Sequence, residues 1–205
     1  YVTTQHGYTI NDHFSDTSVT PTQLLTAVIA AAGLLFVTFF LQPLNFWLDI
    51  TVSLAVLVFL ALSWSDIKIF RKDITLQNIL LGLGGGVLLY LLCLGGNFVL
   101  GLIWPEIHNY TAALYETASS VPLWLAVILV FIIVPGEEIF WRGFIQRNLN
   151  AYFGNTIGTV AATAIYALVH IWAFNPLLIL AALVGGACWG ILYNRRNSLI
   201  VPILA

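Results

Sequence analysis

The amino-acid sequence predicts an all-α, polytopic integral-membrane helical bundle with about six full spans and the start of a further, truncated one. Three observations carry this reading. Hydrophobic residues make up 60% and charged residues only 8% of the 205 positions, whereas soluble domains carry roughly 25% charge. The apolar residues gather into windows of about 20, the length that crosses a hydrocarbon core of about 30 Å as helix. The few charges fall mainly between those windows or at their ends.

Taken in order, residues 1–22 form a polar segment with His6, Asp12, His13 and Asp16 but no Lys or Arg, so the basic region of a secretory signal is missing. The chain starts at Tyr1 and contains no Met, which reads as an amino terminus either trimmed or never observed. Spans are predicted over 24–41, 46–64, 76–104, 122–145, 157–174 and 176–193. The third is long enough to tilt or break, and its glycines include the pair Gly82/Gly86, whose spacing favours close helix packing over unwinding. The link 65–73 interleaves Ile67, Ile69 and Phe70 with charges, fitting an interfacial strip and a solvated loop equally well. Asn109-Tyr110-Thr111 matches a glycosylation acceptor, a pattern too short to carry weight. After Arg196 the chain runs through about eight apolar residues to Ala205, too few to cross a bilayer, which reads as a seventh span begun and cut off.

Sidedness follows from the basic residues. With six spans, Lys68, Arg71 and Lys72, then Arg142 and Arg147, then Arg195 and Arg196 all fall on one side, while Asp49, Glu106 and Glu116 fall on the other. That asymmetry predicts the basic loops to be cytoplasmic. Seven scattered basic residues and a net charge of −2 make no phosphate-binding stripe, which excludes nucleic acid as a partner. Cys93 and Cys188 lie in apolar spans, where thiols behave as small hydrophobes.

The chemistry is concentrated in Glu137-Glu138-Ile139-Phe140-Trp141-Arg142, at the end of the apolar run 123–134. Each charge there costs roughly 2.5–3.5 kcal/mol on insertion scales, so such residues usually serve a function. Pro135-Gly136 just before them permits a bend. Adjacent helical positions point in different directions, so the two carboxylates have different tasks. Arg142 lies four residues after Glu138 and can pair with it. Glu137 is then left without a local partner, which makes it the candidate general base. On the fifth span Tyr166 and His170 share a face; taken alone, such a His more often bridges helices by hydrogen bonds. Counted at about 1.5 Å per residue from the span ends, Glu137 and His170 lie roughly 15 Å and 20 Å deep. There they could hold and deprotonate one water molecule. From the residues alone a hydrolase, a transporter with a broken third span and a structural salt bridge with a core histidine stand nearly level.

Glu137-Glu138-x-x-x-Arg142-Gly143, Tyr166-x-x-x-His170 and the segment from Gly190 through Tyr193-Asn-Arg-Arg-Asn-Ser-Leu-Ile-Val-Pro to Ile203 together resemble the CPBP family of intramembrane proteases, also called the CAAX protease and bacteriocin-processing (Abi) family. The resemblance covers roughly 120–205, so 122–205 reads as the catalytic-type core and 23–121 as generic spans with their loops. It implies a helical core around a cytoplasm-facing cavity, in a prokaryotic plasma membrane by family prevalence. It also implies cleavage of membrane-associated peptides or lipidated proteins, whether prenylated CAAX-type or leader and bacteriocin-type. Glu137 and His170 would hold the attacking water, Glu138 and Arg142 would support them, and Tyr166 would replace the usual Phe and face substrate. A second His with Asn or Asp one turn later would follow Ala205. In an older view zinc is bound, here by Glu137 and His170; the metal-free glutamate mechanism asks for fewer residues and is preferred. A non-catalytic member acting as immunity factor or adaptor is the remaining alternative.

Overall fold

The computed structural model describes residues 19–67 and 73–205. Lys68, Arg71, Lys72 and most of the polar amino-terminal segment lie outside the described residues. Among those described there is no strand, and six helices are long and apolar enough to cross a membrane. The chain is thus an all-α integral membrane protein.

Helix α1 (Pro21–Phe36) starts where Thr20 and Gln23 close a capping box around the first turn, with Pro21 at its head, which satisfies amide groups that no earlier turn can reach. It runs on as a π-helical turn, Val37–Leu41. Helix α2 (Phe46–Trp64) is capped by the Asn45 side chain. Ala27, Ala31 and Leu35 of α1 are buried with Leu54, Leu57 and Ala61 of α2; the alanines leave little bulk between the helices.

Helix α3 (Leu76–Ile103) is continuous over 28 residues, so the third span neither breaks nor unwinds. Gly82 and Gly86 serve close approach. A Cβ on Gly82 would stand 2.7 Å from the Leu204 Cβ and 2.9 Å from the Val201 carbonyl oxygen, and one on Gly86 2.6 Å from the Ala205 oxygen. Gly82→Ala is therefore expected to destabilise by about 1–3 kcal/mol through overpacking. Gly95→Ala, which meets nothing within 4 Å, is expected to be neutral or slightly stabilising. Thermal melts of the detergent-solubilised variants check both.

The loop expected after the third span contains a helix, α4 (Ile107–Ser119). Helix α5 (Leu123–Glu138) passes through Pro135-Gly136 without interruption. The irregularity comes later, as the π-helical segment Ile139–Gln146, after which α6 (Arg147–Phe153) continues the same rod. The fourth span therefore ends near residue 153 rather than 145. Gly154, at φ +79°, turns the chain where a side chain would be strained. Helix α7 (Asn155–Val169) then leads into a 3₁₀ turn, His170–Ala173. Asn175 caps α8 (Pro176–Arg196), and α9 (Ile200–Leu204) lies against α3.

The extended fourth span corrects one charge assignment: Arg142 is 2% exposed inside the bundle and is not a loop charge. The remaining described basic residues still cluster at one end. Arg147 donates to the Asp66 carbonyl at 3.0 Å, and Arg196 donates to Asn78 at 2.9 Å and Gln77 at 3.0 Å. These contacts tie the start of α6 to the α2–α3 link and the end of α8 to the first turn of α3. At the opposite end, Trp47 donates to Ser120 at 3.0 Å and Asn175 to the Tyr110 carbonyl at 3.1 Å.

Candidate functional site

The lengthened rod brings the predicted residues to one level. Glu137 lies sixteen residues before Phe153 and His170 fifteen residues after Asn155, on the two helices that meet at the Gly154 turn. The depth difference expected from the sequence disappears because residues 147–153 stay helical.

The two carboxylates do have different surroundings. Glu138 is 3% exposed, and its Oε1 accepts from Arg142 Nη1 at 2.9 Å, while its Oε2 is buried without a hydrogen bond. Arg142 Nη2 also reaches the Gly186 carbonyl at 3.5 Å. The guanidinium is held over two rings, 4.8 Å from that of Tyr166 and 5.1 Å from that of Trp189, an arrangement that suits a planar delocalised cation. Glu137 is only partly buried and faces the Tyr166 hydroxyl, a hydrogen-bonding neighbour, and the Trp141 indole. Neither its Oε2 nor Trp141 Nε1 closes a hydrogen bond of good geometry.

His170 is 7% exposed, with Nδ1 2.7 Å from the Tyr166 carbonyl oxygen. A carbonyl only accepts, so Nδ1 carries the proton of this contact, and in a neutral ring Nε2 keeps its lone pair. The ring meets Tyr166 edge-on at 4.8 Å and Phe39, from the π turn after α1, at 5.6 Å. Trp141 packs edge-on against the other side of Tyr166 at 5.1 Å. Tyr166 therefore touches every member of the predicted set except Glu138, and it bridges Glu137 and His170 directly.

Trp141, Trp189 and Gly186 are neighbours the sequence reading missed. The spacing of Gly186 and Gly190 by four residues was the available signal for a closely approached face on α8. A groove of about 500 Å³ runs along α7 and α8 past Thr159, Thr163, Leu183 and Arg195; it contains neither Glu137 nor His170. Among the described residues no three His, Cys, Asp or Glu side chains converge, whereas an open catalytic zinc takes three protein ligands. Glu138 is committed to Arg142, which leaves Glu137 and His170 Nε2 as the two described groups that could reach such an ion, one short of that set.

The fold and the cluster define a polytopic helical membrane protein with an acid–base constellation buried between its spans. Residues 119–205 match the family model described as Type II CAAX prenyl endopeptidase Rce1-like, so this stretch is similar to that family of membrane proteases. No curated protein and no solved structure matches the chain.

Proposed function

We propose that the protein is an intramembrane endopeptidase that hydrolyses peptide bonds in membrane-associated peptides, prenylated CAAX-type or leader and bacteriocin-type, using a water molecule activated by Glu137. The observation that carries this reading is the shared contact of Glu137 and His170 with Tyr166 in a stretch matched to a protease family. Glu137 takes a proton from water while His170 Nε2 orients it by accepting the other hydrogen. The oxygen attacks the scissile carbonyl carbon, the C–N bond breaks as the tetrahedral adduct collapses, and Glu137 returns its proton to the leaving amine. The Tyr166 hydroxyl orients Glu137 and borders the substrate. Glu138 and Arg142 neutralise each other and hold the rod against α7 and α8. In this reading Glu137 activates the water without needing a metal ion. The end bearing Arg147, Arg195 and Arg196 faces the cytoplasm of a prokaryotic plasma membrane.

His170→Ala removes the water-orienting nitrogen but leaves the carboxylate in place. Cleavage of a quenched lipidated peptide in proteoliposomes is expected to fall roughly 10- to 100-fold, at the lower end of general acid–base contributions. Unchanged turnover with normal folding would remove His170 from the reaction.

A further inference from the structure

Glu138, Arg142, Gln146 and Asn150 are spaced by four along the rod formed by α5, the π segment and α6. All four are almost fully buried, at 3%, 2%, 1% and 3% exposure. An α-helix turns about 100° per residue, so each four-residue step drifts about 40° and three steps would carry Asn150 roughly 120° away from Glu138. The π segment, closed by i→i+5 bonds, turns less per residue. It offsets that drift and keeps the column facing α7 and α8.

The lower half of this column has no part in the proposed chemistry, yet apart from Asn150 Oδ1, which is buried without a partner, it is extensively bonded. Gln146 Nε2 reaches Thr159 Oγ1 at 3.1 Å, the Gly190 carbonyl at 2.9 Å and Asn194 Oδ1 at 3.0 Å. Asn150 donates to the same Asn194 oxygen at 2.8 Å. Asn194 Nδ2 in turn donates to Thr159 Oγ1 and to the Asn155 carbonyl. Gly190 admits the amide: a Cβ there would stand 2.8 Å from Gln146 Oε1. Amides buried at this depth are costly unless bonded. This set is bonded only while Gln146 points at Thr159 and Gly190, and in an α register it would point elsewhere.

We propose that Gln146 is a positioning residue: with Thr159, Asn194 and the Gly190 carbonyl it locks the π segment in register and so fixes the direction from which Glu137 meets Tyr166. The lock concerns backbone register; its effect on turnover rests on the protease reading above. Release of the lock lets the segment relax toward α-helix. A change of one residue in register rotates α5 by about 100° relative to α6, which takes Glu137 off Tyr166.

The test uses Gln146→Leu together with the isosteric Thr159→Val, which removes only a hydroxyl, and with Thr159→Ser, which keeps it. In Gln146→Leu and Thr159→Val, hydrogen–deuterium exchange of amides 139–146 is expected to accelerate roughly 10-fold, on the scale of one lost hydrogen bond, while α1 and α2 exchange as in the parent. kcat should fall at least about 10-fold, as for a misplaced catalytic group, with KM within about twofold, and Thr159→Ser should keep both readouts near parental values. Unchanged exchange at 139–146 in Thr159→Val overturns the lock, even if Gln146→Leu fails to fold. Faster exchange with an unaltered kcat, where Glu137→Gln abolishes cleavage, refutes the link to Glu137. If Glu137→Gln also leaves cleavage unaltered, the protease reading has failed, and the exchange data still decide whether the lock exists.

Discussion

Glu137→Gln is expected to lower cleavage of a lipidated peptide by roughly 10²- to 10⁴-fold, the range that a positioned general base contributes, while the protein folds and inserts as before. Gln has the shape of Glu and can still accept from the Tyr166 hydroxyl that faces this position, so the surroundings need not move. The amide cannot take a proton from water. Among the described residues Glu137 closes no ion pair, since Arg142 is bound to Glu138 at 2.9 Å; replacing it leaves that pair intact. This sets it apart from Glu138, whose loss would unpair an arginine and confound rate with folding. The measurement is the initial rate in proteoliposomes, with elution profile and melting temperature of the solubilised protein as folding controls. A variant that cleaves at the parental rate ends the general-base assignment.

The spans were legible because a membrane imposes a length and a polarity that composition reports directly, and all six appear close to where the apolar windows lie. The partnership of Glu138 with Arg142 and that of Tyr166 with His170 were legible too, since both rest on four-residue spacing within one helical run. What stayed hidden depends on register or on distant chain. The π segment Ile139–Gln146 is a choice of hydrogen-bond partner, which leaves composition unchanged; without it the column of Glu138, Arg142, Gln146 and Asn150 cannot be recognised as straight. Trp189 and Gly186 reach Arg142 from α8, over forty residues away, and no local pattern announces such a contact. Helix α4 buries only Ile107, so it lacks the long apolar run that marks the spans. The polar residues from Arg147 onward hide the end of the fourth span. Yet Asn148 and Asn150 are buried and bonded, Asn148 to the Phe144 carbonyl at 2.7 Å and Asn150 to Asn194, so the helix runs on.

Arg142→Met is expected to be strongly destabilising. It leaves the Glu138 carboxylate, 3% exposed with one oxygen already unpartnered, without its counter-charge. Breaking one side of a buried pair typically costs about 3–5 kcal/mol. The arginine also gives up its contact with the Gly186 carbonyl and its seat over the Tyr166 and Trp189 rings, a cation–π arrangement worth about 0.5–2 kcal/mol. Arg142→Lys restores the charge but not the planar fork, so it should recover only part of the loss. The discriminating variant is the double replacement Glu138→Gln with Arg142→Met, which removes both charges together. If the cost of the single change is a stranded carboxylate, the double variant should melt above Arg142→Met, because swapping a buried pair for uncharged groups is often close to neutral. A double variant as unstable as Arg142→Met alone would instead place the cost in the lost ring and carbonyl contacts, and the ion pair would no longer be what holds α5 and the π segment against α7 and α8.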